Sequence, residues 1–151
     1  MSKYDLKIYF AGSIRGGRDD DGIYIKLIQA LLKHGEVLTE HVGDESLTDL
    51  GESQLSDPQI YIRDMNWLVD SDVMIAEVTV PSLGVGYEIS KAESNGKPVL
   101  CLYREQDGKR LSAMIRGNHN HLITKAYYHE VQEAIDMAND FIIKIKAERL
   151  S

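Results

Sequence analysis

The sequence predicts a doubly wound α/β fold, in which a five-stranded parallel sheet is flanked by helices. Short apolar runs of strand length alternate along the chain with longer segments of helical periodicity. Strands that alternate with helices form parallel sheets, because each helix carries the chain back across the sheet. The length of 151 residues suits one domain with a proper core, so we expect residues 1–151 to fold as a single unit.

The first half of the chain supplies two predicted strands. Leu6 to Ala11 (LKIYFA) is predicted to be the first, followed by a glycine-rich loop from Gly12 to Gly17. An amphipathic helix is predicted next, capped by the acidic cluster Asp19 to Asp21 and ending near Gly35. Its apolar face consists of Ile23, Leu27, Ile28, Leu31 and Leu32. Glu36 to Thr39 is predicted to be the second strand.

The middle of the chain contains a buried strand between two helices. Residues 43–57 are polar and predict a long functional loop, and Pro58 suits the first turn of a helix. Val73 to Ala76 is a continuous apolar run, typical of a strand buried on both faces. Ser82 is a candidate N-cap for the following helix, and Gly96 a candidate C-cap.

The last third completes the sheet. Lys97 to Tyr103 is predicted to be the fourth strand, followed by a charged turn over Glu105 to Arg110. A short helix is predicted over Leu111 to Gly117, and a fifth strand over Leu122 to Tyr127. From Tyr128 onward, an apolar stripe at helical spacing predicts a long helix. The whole pattern is of the flavodoxin-like or Rossmann-like kind, in which ligands bind beyond the C-terminal ends of the strands.

Composition and charge exclude several classes of function. The formal net charge of −7 argues against a face that binds a nucleic-acid polymer. No apolar run reaches the roughly 20 residues that a membrane span needs. The single cysteine, Cys101, lies in an apolar run and is expected to be a buried, unpaired side chain. These features predict a cytoplasmic protein, or also a nuclear one in a eukaryote.

The glycine-rich loop after the first strand is a candidate phosphate cradle. Gly12, Gly16 and Gly17 leave backbone N–H groups accessible, and the following helix N-terminus adds its dipole. Ser13 adds a hydroxyl donor, and Arg15 adds a guanidinium that can bind phosphate through two hydrogen bonds. The loop matches neither G-x-G-x-x-G nor a Walker A motif, so neither a dinucleotide nor a triphosphate is indicated. A purely structural turn is the alternative.

Two carboxylates form the candidate catalytic pair. Glu88 lies one helical turn after Gly84, whose missing side chain leaves open space beside the carboxylate. Asp64 lies on the helix before the third strand. Paired carboxylates can perform glycosidase chemistry, in which one attacks the anomeric carbon and the other protonates the leaving group. Tyr9 could orient a carboxylate. The alternatives are that Glu88 and Asp64 are ordinary solvated helix residues and that Tyr9 is only a buried aromatic side chain.

Several segments together resemble a known family, the 2'-deoxynucleoside 5'-phosphate N-hydrolases of the nucleoside 2-deoxyribosyltransferase superfamily. The resemblance covers nearly the whole chain except residues 43–57 and the C-terminal tail. The segments that carry it are IYFAGSIRGGR (8–18), VLTEHV (37–42), DMNWL (64–68), SDVMIAEVT (71–79), PSLGVGYE (81–88), GKPVLCL (96–102) and LSAMIRG (111–117).

This resemblance implies a reaction and roles for its residues. Water would cleave the N-glycosidic bond of a deoxynucleoside 5'-monophosphate, giving a free base and 2-deoxyribose 5-phosphate. Glu88 would be the nucleophile and form a covalent deoxyribosyl intermediate. Asp64 would protonate the departing base and later activate water, and Tyr9 would hold Glu88 in position.

The resemblance also implies the remaining contacts of the substrate. The phosphate cradle would consist of Ser13, Ile14, Arg15 and Gly16, joined by Ser82. Ser112 corresponds to a residue that the neighbouring subunit contributes, which implies a homodimer, and Met114 would lie near the same junction. His41 would lie near the base.

No metal or redox cofactor is expected. His119 and His121 lie in a polar loop without a cysteine or acidic partner, which is a poor ligand set. Three other functions stay open: a deoxyribosyltransferase, an N-glycosidase of ribonucleotides such as cytidine monophosphate, and a nucleotide-binding sensor without turnover. A structural dimer module is a further alternative, but it leaves the carboxylate pair without a purpose.

Overall fold

The computed structural model of the chain describes residues 5–14, 18–41 and 55–150, with the side chains of 18–21 outside that description. Arg15 and Gly16 of the predicted phosphate cradle, and residues 43–54 of the predicted long loop, lie outside the described residues.

Within these ranges, strands and helices alternate as the sequence predicts. The strands are β1 (Leu6–Gly12), β2 (Gly35–Leu38), β3 (Val73–Glu77), β4 (Val99–Arg104) and β5 (Ile123–Tyr128). The helices are α1 (Arg18–Leu31), α2 (Asp57–Asp70), α3 (Leu83–Ser94), α4 (Ala113–Arg116) and α5 (Val131–Leu150). None of these described helices is long and apolar enough to cross a membrane.

The strands of the described chain form one sheet in the order β2-β1-β3-β4-β5, and every neighbouring pair is parallel. This confirms the predicted five-stranded, doubly wound α/β fold. The strand order reverses direction between β1 and β3, because the chain leaves β1 towards one edge and returns to β3 on its other side. A crevice opens at such a point, beyond the C-terminal ends of the two strands.

The sheet is covered on both faces, and alternate residues of each strand point to opposite sides. On one side, Ile8 and Phe10 of β1 join a hydrophobic cluster with α1 and α5. On the other side, Tyr9 and Ala11 join a cluster with α2 and α3. Tyr9 therefore projects to the same side of the sheet as the two helices that carry the predicted catalytic carboxylates.

Helix termini follow the local sequence signals closely in α2 and α3. Ser56 caps α2 in a capping box with Gln59, and Pro58 lies in the first turn. Ser82 caps α3, where its hydroxyl accepts a hydrogen bond from the Val85 amide at 3.3 Å. Gly96 follows the helix with a φ of +73°, a conformation that glycine adopts without strain.

Several predicted boundaries were wrong. Helix α1 begins at Arg18, so Asp19 to Asp21 lie within it instead of capping it, and Tyr128 is the last residue of β5, so the long helix begins at Val131. The first helix ends at Leu31, and Gly35 is the first residue of β2 instead of the end of that helix. A Cβ atom at Gly35 would lie 2.0 Å from the Leu6 carbonyl oxygen, so this glycine permits a close approach of two backbones. Asp57, assigned from the sequence to the long loop, is the first residue of α2.

Candidate active site

A cavity of about 480 Å³ lies at the crevice between β1, α2 and α3. A volume of this size falls in the usual range for small-molecule sites. It brings together residues from four separate parts of the sequence. Its lining consists of Gly12, Ile14, Glu40, Asp57, Ile60, Tyr61, Asp64, Met65, Ser82, Gly84, Val85, Tyr87 and Glu88.

Glu88 and Tyr9 form a direct contact across 79 positions of sequence. The Tyr9 hydroxyl donates a hydrogen bond to Oε2 of Glu88. Only 1% of Tyr9 is exposed, so its ring holds the hydroxyl in one place. On the other side of Glu88, a Cβ atom built on Gly84 would lie 3.9 Å from Oε1, and the glycine leaves that space open to the cavity.

The environment of Glu88 shifts its acidity towards neutrality. Burial raises the pKa of Glu88, the hydrogen bond from Tyr9 lowers it, and the nearby Asp64 carboxylate raises it again, which leaves a pKa of about 7. Burial and the adjacent Glu88 also raise the pKa of the Tyr9 phenol, so this hydroxyl stays protonated and keeps donating. A carboxylate poised near pH 7 in a cavity is a common feature of active sites.

Asp64 is the second carboxylate of the cavity and is 7% exposed. Arg63 donates from Nε to Asp64 Oδ1 at 3.0 Å, and its Nη2 lies 3.3 Å from Glu40 Oε1. The guanidinium also lies 4.6 Å above the ring of Trp67, one helical turn further along α2. Arg63 therefore fixes the orientation of Asp64 from outside the cavity lining.

Part of the predicted phosphate cradle contributes to the lining of this cavity. Gly12, Ile14 and Ser82 line the cavity wall, and Ser13 between them is buried at 4% exposure. These residues belong to the end of β1 and to the N-cap of α3. The N-terminus of α3 thus points its free amides towards the same space, as an anion site requires.

Besides Tyr9 and Ser13, three predicted site residues are absent from this cavity lining. His41 Nε2 lies 2.9 Å from the Gly12 carbonyl oxygen, and its ring packs 4.9 Å from that of Tyr24. Ser112 caps α4, and Met114, on the same short helix, is 85% exposed. Ser112 and Met114 line a second cavity of about 610 Å³, which shares only Ser82 and Val85 with the first.

The structure also adds residues that the sequence reasoning did not single out. Tyr61 and Tyr87 line the catalytic cavity from α2 and α3, and Arg63 and Glu40 support Asp64. A signal was present for Tyr61, because it precedes Asp64 by three residues and so shares its helix face. Tyr87 directly precedes Glu88, but its contact with Tyr61 depends on how the two helices pack.

Among residues 5–14, 18–41 and 55–150, no group of three or more histidine, cysteine, aspartate or glutamate side chains is arranged to hold a metal ion. His119 and His121 lie in the segment between α4 and β5 and outside the catalytic cavity.

Comparison with known sequences agrees with this geometry. The sequence profile of the family described as nucleoside 2-deoxyribosyltransferase matches residues 8–122. The chain belongs to the nucleoside 2-deoxyribosyltransferase family. The matched range includes both carboxylates, Tyr9, the glycine-rich loop and Ser112.

Relatives within the family are similar over most of the chain. A sea anemone protein (Nematostella vectensis) named putative 2'-deoxynucleoside 5'-phosphate N-hydrolase 1 is 55% identical over 133 residues, which cover 85% of this chain and 90% of that protein. A rat protein (Rattus norvegicus) named 5-hydroxymethyl-dUMP N-hydrolase is 55% identical over 111 residues, 73% of this chain and 68% of its own. A Trichoplax adhaerens protein, with the same name as the anemone protein, is 48% identical over 91% of this chain and 94% of its own.

Solved structures of more distant proteins share the fold. The CMP N-glycosidase BcmB of Clostridium botulinum matches with a TM-score of 0.63 at 21% identity, covering 88% of this chain and 98% of that one. A 2-deoxyribosyltransferase from Bacillus psychrosaccharolyticus matches with a TM-score of 0.58 at 18% identity, covering 85% and 90%. At these identities the likeness establishes the nucleoside 2-deoxyribosyltransferase-like fold.

Proposed function

We propose that this chain hydrolyses the N-glycosidic bond of 2'-deoxynucleoside 5'-monophosphates and releases a free base and 2-deoxyribose 5-phosphate. The observation that carries the proposal is the pair Glu88 and Asp64, with Tyr9 bonded to Glu88, in one cavity beside the glycine-rich loop. The names of the relatives, which are N-hydrolases of deoxynucleotides, support the same reaction.

In the first step, a carboxylate oxygen of Glu88 attacks C1' of the sugar. The bond from C1' to the base nitrogen breaks, its electron pair leaves with the base, and Asp64 supplies a proton to that base. The sugar passes through an oxocarbenium-like state, which the adjacent carboxylate stabilises. A 2'-hydroxyl would withdraw electrons from C1', so a deoxy sugar reaches this state more easily.

In the second step, water attacks C1' of the glycosyl–enzyme ester. Asp64 accepts a proton from the water, and Glu88 leaves as a carboxylate, which restores the free enzyme. The Tyr9 hydroxyl donates to the ionised form of Glu88 and so favours it both as the attacking group and as the leaving group. No part of this cycle requires a metal or redox cofactor.

The phosphate would be held at the end of the cavity formed by the β1 loop and the α3 N-terminus. Ser13, Ile14 and Ser82 contribute from the described residues, and Arg15 and Gly16 are assigned to the cradle by the family resemblance. Gly84 keeps the cavity open beside Glu88, whereas a Cβ atom at Gly12 would lie 2.8 Å from the ring of Tyr24. This cradle favours a nucleotide over a nucleoside, and with it a hydrolase over a deoxyribosyltransferase.

The same proposal includes a homodimer in which Ser112 reaches the neighbouring site. Ser112 and Met114 line the second cavity, so they face a different space from Glu88 of their own chain. Leu83 and Met114, both on this second cavity, are 97% and 85% exposed, and a partner subunit would cover them. His41 is assigned to the base end by resemblance alone. A cytoplasmic or nuclear location stays a prediction.

An incubation with a panel of deoxy- and ribonucleoside 5'-monophosphates, each paired with its nucleoside, tests the proposal by chromatography of the free base. We expect release from deoxynucleotides and little from nucleosides or ribonucleotides. Transfer of the sugar to an added second base would identify a deoxyribosyltransferase. Binding without release would contradict the hydrolase and favour the sensor. For the dimer, mixing Glu88→Ala with Ser112→Ala chains should restore one site, and an active monomer would contradict it.

A further inference from the structure

Two tyrosines stand beside the two catalytic carboxylates. Tyr61 precedes Asp64 by three residues on α2, and Tyr87 directly precedes Glu88 on α3. Both tyrosines line the catalytic cavity. They therefore form a part of its wall that bridges the two helices, close to the atoms that the proposed reaction changes.

The two side chains form a defined pair. Their hydroxyl oxygens lie 3.1 Å apart, and their ring centroids are 6.1 Å apart at an interplanar angle of 64°. This is the edge-to-face arrangement that aromatic rings favour. Tyr61 is 50% exposed and Tyr87 52% exposed, so the pair stands at the mouth of the cavity.

The pair keeps hydrogen-bonding capacity for a ligand. Each phenol has one O–H donor and can also accept. The contact between the two hydroxyls uses one of the two donors, and within the described residues neither hydroxyl makes a further hydrogen bond. One donor and the remaining acceptor positions are left at the cavity mouth. A group that both donates and accepts, such as a hydroxyl, satisfies both.

The order of the subsites directs this pair to the base. The proposed phosphate cradle is the part of the cavity lining that includes Gly12, Ile14 and Ser82. Asp64 protonates the departing base, so the base extends beyond Asp64, away from the phosphate. From Asp64 towards the start of α2, the cavity lining includes Ile60 and Tyr61, about one helical turn away, and Asp57, two turns away. We assign the base to this part of the lining.

We propose that the Tyr61 and Tyr87 hydroxyl pair recognises a hydroxyl substituent on the outer edge of the nucleobase, and so selects hydroxylated bases over bases that carry a methyl group of the same size. This inference rests on the proposed N-hydrolase function and adds the residues that determine its base specificity. The rings bound the base subsite on one side, and their hydroxyls bind the substituent.

A pair of substrates that differ by one hydroxyl tests this recognition. The nucleotides 5-hydroxymethyl-dUMP and dTMP carry CH₂OH and CH₃ at the same position of the base. We would measure kcat/KM for both with the wild type, Tyr61→Phe, Tyr87→Phe and the double variant. The Phe variants retain both rings, and their thermal midpoints verify folding. Tyr127→Phe is the matched control, because Tyr127 is an exposed tyrosine that packs edge-to-face on Tyr103 and lies outside the catalytic cavity.

The wild type should prefer the hydroxymethyl substrate. Each Phe variant should reduce the ratio of the two kcat/KM values about 2- to 10-fold, the usual effect of one hydrogen bond. Tyr127→Phe should leave the ratio unchanged. An active wild type whose ratio is the same in both Phe variants would overturn the inference and leave the N-hydrolase function intact. An absence of base release from every nucleotide would overturn both.

Discussion

Within the part of the chain that the structure describes, two tyrosine–glutamate pairs near the C-terminal edge of the sheet have different surroundings. At the catalytic cavity, Tyr9 donates to Glu88, whose other neighbours are open space at Gly84 and the Asp64 carboxylate. In the core, Tyr128 donates to Glu77 Oε2 at 2.5 Å, and the Thr79 amide and hydroxyl each donate to Glu77 at 2.8 Å. Glu77 is 1% exposed and ends β3.

The comparison separates a structural carboxylate from a reactive one. Glu77 accepts several hydrogen bonds within the fold. It does not line the catalytic cavity, the cavity at Ser112 or the cavity at Tyr127, as far as their described residues show. Glu88 accepts one hydrogen bond among the described residues, from Tyr9, and lies near the Asp64 carboxylate. Its pKa is raised to about 7. A carboxylate that the fold leaves incompletely satisfied is available to a substrate.

Replacing each glutamate by alanine should give the largest contrast, because one variant should lose activity and the other stability. Glu88→Ala should lower kcat for base release at least about 1000-fold, because it removes the attacking group. Glu77→Ala should lower the free energy of unfolding by at least about 2 kcal/mol, because Tyr128 and Thr79 lose their buried acceptor. Urea unfolding and base release, measured on both variants, give the contrast. Near-normal turnover by Glu88→Ala would break it.

Asp64→Asn should reduce kcat roughly 100- to 10,000-fold, because the variant cannot donate a proton to the departing base. The loss should be much smaller for 4-nitrophenyl 2-deoxyribose 5-phosphate, whose leaving group needs no protonation. Asp57→Asn is the matched control, because Asp57 lines the same cavity from the same helix. An equal loss with both substrates would remove the acid role from Asp64.

Tyr9→Phe should lower kcat/KM at pH 7 by about 10-fold, a loss that includes the hydrogen bond to the ionised Glu88. Since that hydrogen bond lowers the pKa of Glu88, its removal should move the acidic limb of the pH profile above its wild-type position near 7. Tyr128→Phe should reduce stability but leave this limb in place. An acidic limb at the same pH in Tyr9→Phe and in the wild type would contradict the hydrogen bond between Tyr9 and Glu88.

The last prediction concerns the dependence of stability on pH. The pKa of Glu88 is raised from 4.5 to about 7 in the folded chain, so the unfolded chain binds fewer protons between these values. Stability from this group is therefore present below pH 4.5 and lost as the pH rises towards 7. Glu88→Gln should remove this decline from unfolding curves recorded across that window. An unchanged slope would mean that Glu88 is not shifted upwards.

The sequence predicted the features that depend on local signals. The parallel sheet followed from alternating strands and helices, and Ser82 and Pro58 marked helix starts correctly because capping needs only neighbouring residues. The sequence also singled out Glu88, Asp64 and Tyr9, and the resemblance to the N-hydrolases supplied their expected roles. The structure brings the two carboxylates to one cavity and bonds Tyr9 to Glu88. Gly35 was assigned wrongly, because a glycine after a helical segment resembles a C-cap, whereas its function here is a contact with Leu6 in another strand.

Contacts between segments that are distant along the chain could not be predicted from the sequence. Glu77 extends the apolar run of β3 but drew no attention, since its main partner Tyr128 lies 51 residues away. The pairing of Tyr61 with Tyr87 likewise depends on the packing of α2 against α3. In both cases each residue looks ordinary in its own segment, and only the fold reveals the role.

The most direct test of the central claim is to locate the covalent intermediate. A 2'-fluoroarabino nucleoside 5'-monophosphate should slow the breakdown of a glycosyl–enzyme ester, because fluorine destabilises the oxocarbenium-like state. After an acid quench, peptide mass mapping should find the fluorinated sugar phosphate on Glu88 of the wild type and on no carboxylate of Glu88→Gln. An adduct on Asp64 or Glu77, or a burst of free base without any adduct, would contradict the assignment of Glu88 as the nucleophile.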